Sequence, residues 1–214
     1  MDNIFFYCER TSSDILGEPI NFFTNLFFII FSVLLLFNKS ILNKKYALLI
    51  FLIGVGSMLF HSIPNRLTGF LDIFFIISFI FYYIFTLYIK LNIKKYISAI
   101  ISIVFIVICF VFGIFSKNTL LGSSAFYLPI IFHMLFLYLY FLNNKKIYMY
   151  HNLFLFILVL FSFSLLLRSV DLYLCNLFFI GTHFLWHILN ALVLYLLVKF
   201  YYLIPYRTSP KKPT

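Results

Sequence analysis

The sequence predicts an all-α integral membrane protein, a bundle of seven transmembrane helices. Hydrophobic residues make up 64% of the 214 residues and charged residues only 10%, which is too few polar groups to cover a soluble globule. Apolar runs long enough to cross about 30 Å of hydrocarbon recur along the whole chain. These runs show no alternating polar face, and a backbone in lipid must satisfy its own polar groups, so helices are favoured over a barrel.

Seven spans are expected in chain order. They cover residues 20–37, 46–61, 70–89, 97–115, 125–142, 147–167 and 177–203. Short connections join them, which predicts one seven-helix domain over residues 20–205, with an outer segment at 1–19 and a basic cytoplasmic tail at 206–214. The first residues are acidic and polar and the first apolar run is long enough to remain as a span, which argues against a cleaved signal peptide.

Basic residues predict the orientation, because short cytoplasmic loops retain Lys and Arg. Twelve basic residues fall on one side of the spans and four on the other. The twelve are Lys39, Lys44, Lys45, Lys90, Lys94, Lys95, Lys145, Lys146, Lys199, Arg207, Lys211 and Lys212, and the four are Arg10, Arg66, Lys117 and Arg168. The N-terminus is therefore expected outside and the C-terminus in the cytoplasm. This topology accounts for the net charge of +10, and no nucleic-acid-binding module is apparent.

Polar residues inside the spans are the functional candidates, because an ionisable side chain there costs about 2–3 kcal/mol on insertion scales. Ser57 and His61 are four residues apart at the outer end of the second span, and Asp72 lies near the outer end of the third. His183 and His187 form an i,i+4 pair on one face of the last span. If that helix begins near residue 177, the pair lies roughly 9 and 15 Å below its outer end, at about 1.5 Å per residue.

These residues predict a zinc site near the outer face. A catalytic zinc ion takes three protein ligands and keeps a fourth position open, and His61, His183 and His187 supply three. Asp72 and Ser57 then surround the open position. A lone membrane histidine is more often a hydrogen-bonded packing residue, and His133 is interpreted in that way.

The chain resembles the alkaline ceramidases, as a prokaryotic-type or otherwise divergent member of a seven-span group of metal-dependent lipid hydrolases that includes the adiponectin receptors. The resemblance covers nearly the whole chain. It rests on Cys8-Glu9, Glu18-Pro19-Ile20-Asn21, Thr24-Asn25, Gly-Val-Gly-Ser-Met-Leu-Phe-His at 54–61, Asp72, Arg168, Asp171, Cys175 and Gly-Thr-His-Phe-Leu-Trp-His at 181–187. It implies zinc on His61, His183 and His187, Asp72 and Ser57 as catalytic residues, and hydrolysis of the ceramide amide, drawn from the bilayer, to a sphingoid base and a fatty acid.

The family also implies a calcium site, built from an Asp-Trp-Cys-Glu-x-Asn stretch and a later Glu. In this chain Phe6, Tyr7 and Thr11 replace the Asp, the Trp and the Asn, while Glu9 and Glu18 remain. Two carboxylates are few for calcium, which takes six to eight oxygens. Calcium is therefore the weaker of the two metal predictions.

The family has a disulfide equivalent to Cys8–Cys175. Both cysteines lie on the predicted outer side, and a bond between them fits an oxidising compartment; the alternative is two free thiols. The resemblance places the protein in the plasma membrane of a bacterium, or in the endoplasmic reticulum or Golgi membrane of a eukaryote, with the zinc site towards the outer or lumenal side.

Two other functions use the same features. A lipid- or ligand-sensing receptor of the adiponectin-receptor type predicts a sizeable cytoplasmic effector region, for which the loops and tail leave little room. A metal transporter predicts further ligands along a path to the inner side, and the sequence shows no such series. No protein partner is inferred.

Overall fold

The computed structural model describes residues 7–10, 12, 14–38, 44–116, 119 and 121–205. These residues form helices and no strands, and seven helical units are long and apolar enough to cross a membrane. The α-helices are α1 Pro19–Thr24, α2 Leu26–Phe37, α3 Lys45–Ser62, α4 Arg66–Lys90, α5 Lys95–Phe115, α6 Leu128–Leu142, α7 His151–Val170 and α8 His183–Leu203. The predicted all-α fold of seven apolar spans is confirmed, and it indicates a multi-pass membrane protein. The predicted basic tail at 206–214 lies outside the described residues.

Short 3₁₀ helices lengthen two of the spans. Gly122–Tyr127 precedes α6, while Tyr148–Tyr150 and Asp171–Tyr173 flank α7. The first span, Pro19–Phe37, consists of α1 and α2, which meet at Asn25. We call the end of the bundle at which α1 begins the upper end; α3 and α5 end there, and α4 and α8 begin there.

The last helix begins at His183, so the prediction that it begins near residue 177 was wrong. The Asp171 carboxylate accepts hydrogen bonds from the backbone N–H groups of Thr182, at 2.6 Å, and His183, at 2.9 Å, which fixes the first turn there. The apolar residues 177–180, which resemble a helix in composition, form a loop instead. The two histidines therefore lie in the first two turns of α8, nearer its upper end than expected.

Gly181 is required for this loop to close. Its φ angle is +71°, a region that favours glycine. A β-carbon at this position would overlap the Asp171 carboxylate and would lie 2.7 Å from the β-carbon of Cys8. The glycine thus lets the segment before α8, the end of α7 and the N-terminal segment approach one another.

The N-terminal segment is fastened to two parts of the upper end. Cys8 forms the predicted disulfide with Cys175, and its backbone N–H donates to Asp171 Oδ2 at 3.0 Å. Glu9 accepts hydrogen bonds from the backbone N–H groups of Ile20, at 2.6 Å, and Asn21, at 2.8 Å. These two groups lack partners within α1, so the carboxylate stabilises the start of the first span.

Candidate metal centre

Three histidines meet inside the upper end of the bundle. His61 comes from the last turn of α3, and His183 and His187 come from the first two turns of α8. One ligand atom from each lies within 4.8 Å of the others. The rings are almost fully buried, with exposed fractions of 1% for His61 and 2% for His183 and His187. The three side chains predicted from the sequence are therefore placed so that they could hold one metal ion.

Hydrogen bonds orient two of the rings. His187 Nδ1 lies 3.0 Å from Thr24 Oγ1, and that hydroxyl donates its proton to the carbonyl of Ile20 at 2.8 Å. Thr24 Oγ1 therefore accepts from Nδ1–H. His61 Nδ1 lies 2.5 Å from Glu18 Oε2, a carboxylate oxygen that also accepts. In both rings the proton is on Nδ1, so Nε2 keeps a lone pair for a metal, an arrangement common around protein zinc sites.

The third ring is held by stacking. The phenol ring of Tyr7 stacks on His183 with 3.6 Å between ring centroids and an 18° angle between planes. Arg168 Nη1 donates to the Tyr7 hydroxyl at 3.0 Å. Burial raises the pKa of Tyr7 even though the Arg168 charge opposes that shift, so the phenol stays neutral. The Asp171 carboxylate, which follows Arg168 by three residues, caps α8.

Asp72 and Ser57 line a cavity beside His183 and His187. Ser57 is buried one turn before His61, and its side chain is hydrogen-bonded to Asp72. Both residues line a small polar cavity of about 10 Å³, close to the space that one water molecule requires. The cavity is also lined by Arg168, His183, His187 and Asn190. It therefore brings a carboxylate, a hydroxyl and two of the three imidazoles to one point.

An apolar cavity adjoins this polar one. The two share Ile53, Ile76, Tyr127 and Asn190 among their lining residues. The apolar cavity runs between the helices and is lined by Phe79, Met134, Leu137, Phe154 and Leu197, among others. His133 forms part of its wall and packs edge-to-face on Phe105, with 4.7 Å between the ring centroids. The small polar cavity thus borders a larger cavity whose lining is almost wholly apolar.

Glu9 and Glu18, the residues of the predicted calcium site, both have protein partners. The Glu9 oxygens accept from the backbone of α1, and burial raises the pKa of this carboxyl. Glu18 is buried and binds Arg10 through Oε1, at 2.5 Å, and His61 and Asn21 through Oε2. Burial opposes its charge, but the hydrogen bonds from His61, Arg10 and Asn21 lower its pKa below the ordinary value. Phe6 and Thr11 lie outside the described residues.

Comparison with known families agrees with this geometry. A family model described as Ceramidase matches residues 5–213, nearly the whole chain. The chain belongs to the ceramidase family. The predicted resemblance is confirmed, and membership implies an amide hydrolase. A search of curated proteins finds no match.

In this family member, sequence reasoning missed three residues around the metal centre. Glu18 was considered only for calcium, although it orients His61. Thr24 was quoted only as part of a motif, although it orients His187. For Glu18 the sequence did contain a signal. Asn21 and Asn25 follow it by three and seven residues, so the three polar residues share one face of a helix. For Tyr7 the sequence gives no such signal.

Proposed function

We propose that this protein is a zinc-dependent membrane amidase, which hydrolyses the N-acyl amide bond of ceramide or a related lipid to a sphingoid base, or another amine, and a fatty acid. The observation that carries the proposal is the cluster of His61, His183 and His187 beside a polar cavity that Asp72 and Ser57 line and that adjoins an apolar cavity. Membership of the ceramidase family supports the same reaction.

The donor set suits zinc. Three buried imidazoles, two of them with Nδ1–H donated to an oxygen of the protein, match the ligands of a catalytic zinc site that keeps one position open. Zinc bound there lowers the pKa of a water molecule towards neutrality and polarises a carbonyl group.

The chain's own residues then handle protons and charge. Asp72 accepts a proton from the water whose oxygen attacks the amide carbon, and it delivers a proton to the leaving nitrogen as the C–N bond breaks. Ser57 donates a hydrogen bond to the oxygen that becomes negative during the attack. The products are a carboxylic acid and an amine, so one water is consumed and all atoms balance.

The apolar cavity supports a lipid substrate. It borders the polar cavity at Asn190 and Tyr127 and continues among side chains of six of the seven spans. A hydrocarbon chain bound there keeps its apolar surface away from water, while the amide reaches the polar cavity. A soluble enzyme would have to extract the same lipid from the membrane.

The proposal includes the predicted orientation, with the upper end outside. Among the basic residues that the structure describes, eight lie at the lower end and three at the upper end, which favours a cytoplasmic lower end. In intact cells, an impermeant maleimide is expected to label Leu67→Cys, at the upper end, and to label Lys146→Cys only after permeabilisation. The native free thiol, Cys109, is buried and gives a low background. The reverse labelling pattern would show the opposite orientation, with the upper end of the bundle in the cytoplasm.

The function is tested by incubating the purified, zinc-loaded protein in detergent or lipid with a panel of ceramides and other N-acyl lipids. We expect release of fatty acid and amine in equal amounts, together with about one zinc ion per chain. A chelator should stop the release and added zinc should restore it.

The same assay separates the alternatives. Lipid that binds stoichiometrically without release of fatty acid from any member of the panel would contradict the amidase proposal and favour a ligand-sensing receptor. Zinc uptake into sealed vesicles, with no hydrolysis, would favour transport. If the protein is active but contains no bound zinc, the amidase proposal stands and the assignment of a zinc site is rejected.

A further inference from the structure

Arg10 has a place in the structure that its sequence context does not suggest. It is one of the few basic residues on the predicted outer side, yet only 5% of its surface is exposed. Its guanidinium donates to Glu18 Oε1 at 2.5 Å and to the carbonyl oxygens of Ser12 at 3.2 Å, Asp14 at 3.4 Å and His61 at 2.7 Å. Four oxygens from three parts of the chain therefore converge on one buried cation.

This oxygen cluster is of the kind that binds calcium, which prefers carboxylate and backbone carbonyl oxygens. Its centre, however, holds the guanidinium of Arg10. The other carboxylate considered for calcium, Glu9, directs both oxygens to the backbone of α1. The residues present therefore do not fit a calcium ion.

We propose that Arg10 is a built-in cation that takes the place of calcium in this protein, so that the metal centre is organised without calcium. The charge that balances Glu18 is then covalently part of the chain. Unlike a bound ion, it does not depend on the calcium concentration outside the membrane.

Arg10 acts on the metal centre through His61. One arm of the guanidinium binds the backbone carbonyl of His61, in the last turn of α3. The Nε atom binds Glu18, whose other oxygen lies 2.5 Å from His61 Nδ1. Arg10 thus holds both the backbone and, through Glu18, the ring of one predicted zinc ligand, which makes it a positioning residue.

The neighbouring turn is shaped for this side chain. A β-carbon on Gly17 would lie 2.9 Å from Arg10 Nη1 and 3.0 and 3.2 Å from the carbonyl oxygens of Ser12 and Asp14. The absence of a side chain at Gly17 leaves space for the guanidinium and the two carbonyls that it binds. Lysine at position 10 would keep the charge but lose the planar set of donors that these oxygens require.

The test compares calcium responses in the purified full-length protein, loaded with zinc. For the wild type, we expect the same thermal midpoint and the same zinc content in excess calcium and in a calcium-selective chelator. Arg10→Ala frees Glu18 Oε1 and three carbonyl oxygens, so we expect saturating calcium to raise its thermal midpoint by about 5 °C or more. Arg66→Ala, an exposed arginine at the same end, is the matched control and should not respond.

Arg10→Lys keeps the proposal testable if the alanine variant does not fold. We expect it to fold and to bind zinc about 10-fold more weakly than the wild type, because His61 is less well oriented. A wild type that binds calcium stoichiometrically, or loses zinc or thermal stability when calcium is removed, would overturn the proposal. So would an Arg10→Ala variant that folds and responds to calcium no more than Arg66→Ala. None of these readouts requires lipid hydrolysis, so failure of the proposed amidase function remains a separate outcome.

Discussion

His187→Ala is expected to abolish both zinc binding and amide hydrolysis. The substitution removes one of three imidazoles from a cluster that offers the metal no other histidine within 4.8 Å among the described residues. Metal assistance contributes several kcal/mol to the transition state of such a hydrolysis, so we expect at least a 1000-fold loss of activity, at about 1.4 kcal/mol per factor of ten. Zinc per chain is measured by elemental analysis, and activity by fatty acid release.

Two further variants show whether the loss is specific. His151→Ala removes a histidine at the lower end, where Nδ1 bonds the carbonyl of Tyr148, and should keep both zinc and activity. Thr24→Val preserves shape but removes the acceptor for His187 Nδ1–H, so zinc affinity should fall about 10- to 100-fold. Full zinc content in His187→Ala would reject this histidine as a ligand.

Asp72→Asn is expected to lower the rate of hydrolysis about 100- to 10,000-fold while the protein still binds one zinc ion. Asparagine has nearly the same shape and can keep a hydrogen bond with Ser57, but its amide cannot accept a proton at neutral pH. The loss should appear in kcat rather than in zinc content. Fatty acid release and elemental analysis on the same preparation give the two values.

Ser78→Ala, on the same helix, is the control for this variant. Its hydroxyl bonds back to the carbonyl of Phe74 within α4 and lies outside the polar cavity. It should keep normal activity. If Asp72→Asn hydrolyses lipid as fast as Ser78→Ala, the carboxylate does not transfer protons, and the catalytic base must be another group.

The spans and the three histidines were predictable because each gives a strong signal. In lipid, long apolar runs have few alternatives to a helix. Against that background, His61, His183 and His187 stand out as polar residues in an apolar environment. The start of α8 was not predictable in the same way, because residues 177–180 are apolar whether they form a helix or a loop. Gly181 and the carboxylate of Asp171 decide between the two.

The hydrogen bonds around the site were harder to predict, because they depend on how the N-terminal segment folds back. Charge counting treated Arg10 as one of four residues on the outer side, whereas the structure buries it against Glu18. Likewise, no local pattern reveals that Tyr7 stacks on His183, 176 residues later in the chain (183 − 7). Such contacts follow from the tertiary arrangement.

The attachment of the N-terminal segment also sets an order of assembly. Cys8 and Cys175 are separated by 167 positions in sequence, and the segment's other partners include α3 and the start of α8. Tyr7 and Cys8 precede every helix in the chain, but their partners Arg168, Asp171, Cys175 and His183 lie in the last two helices and the loop between them, so these contacts form only after the last helix has begun to be made. Residues near the start of the first span are thus among the last to reach their final positions, and the three histidines can come together only after α8 has been made.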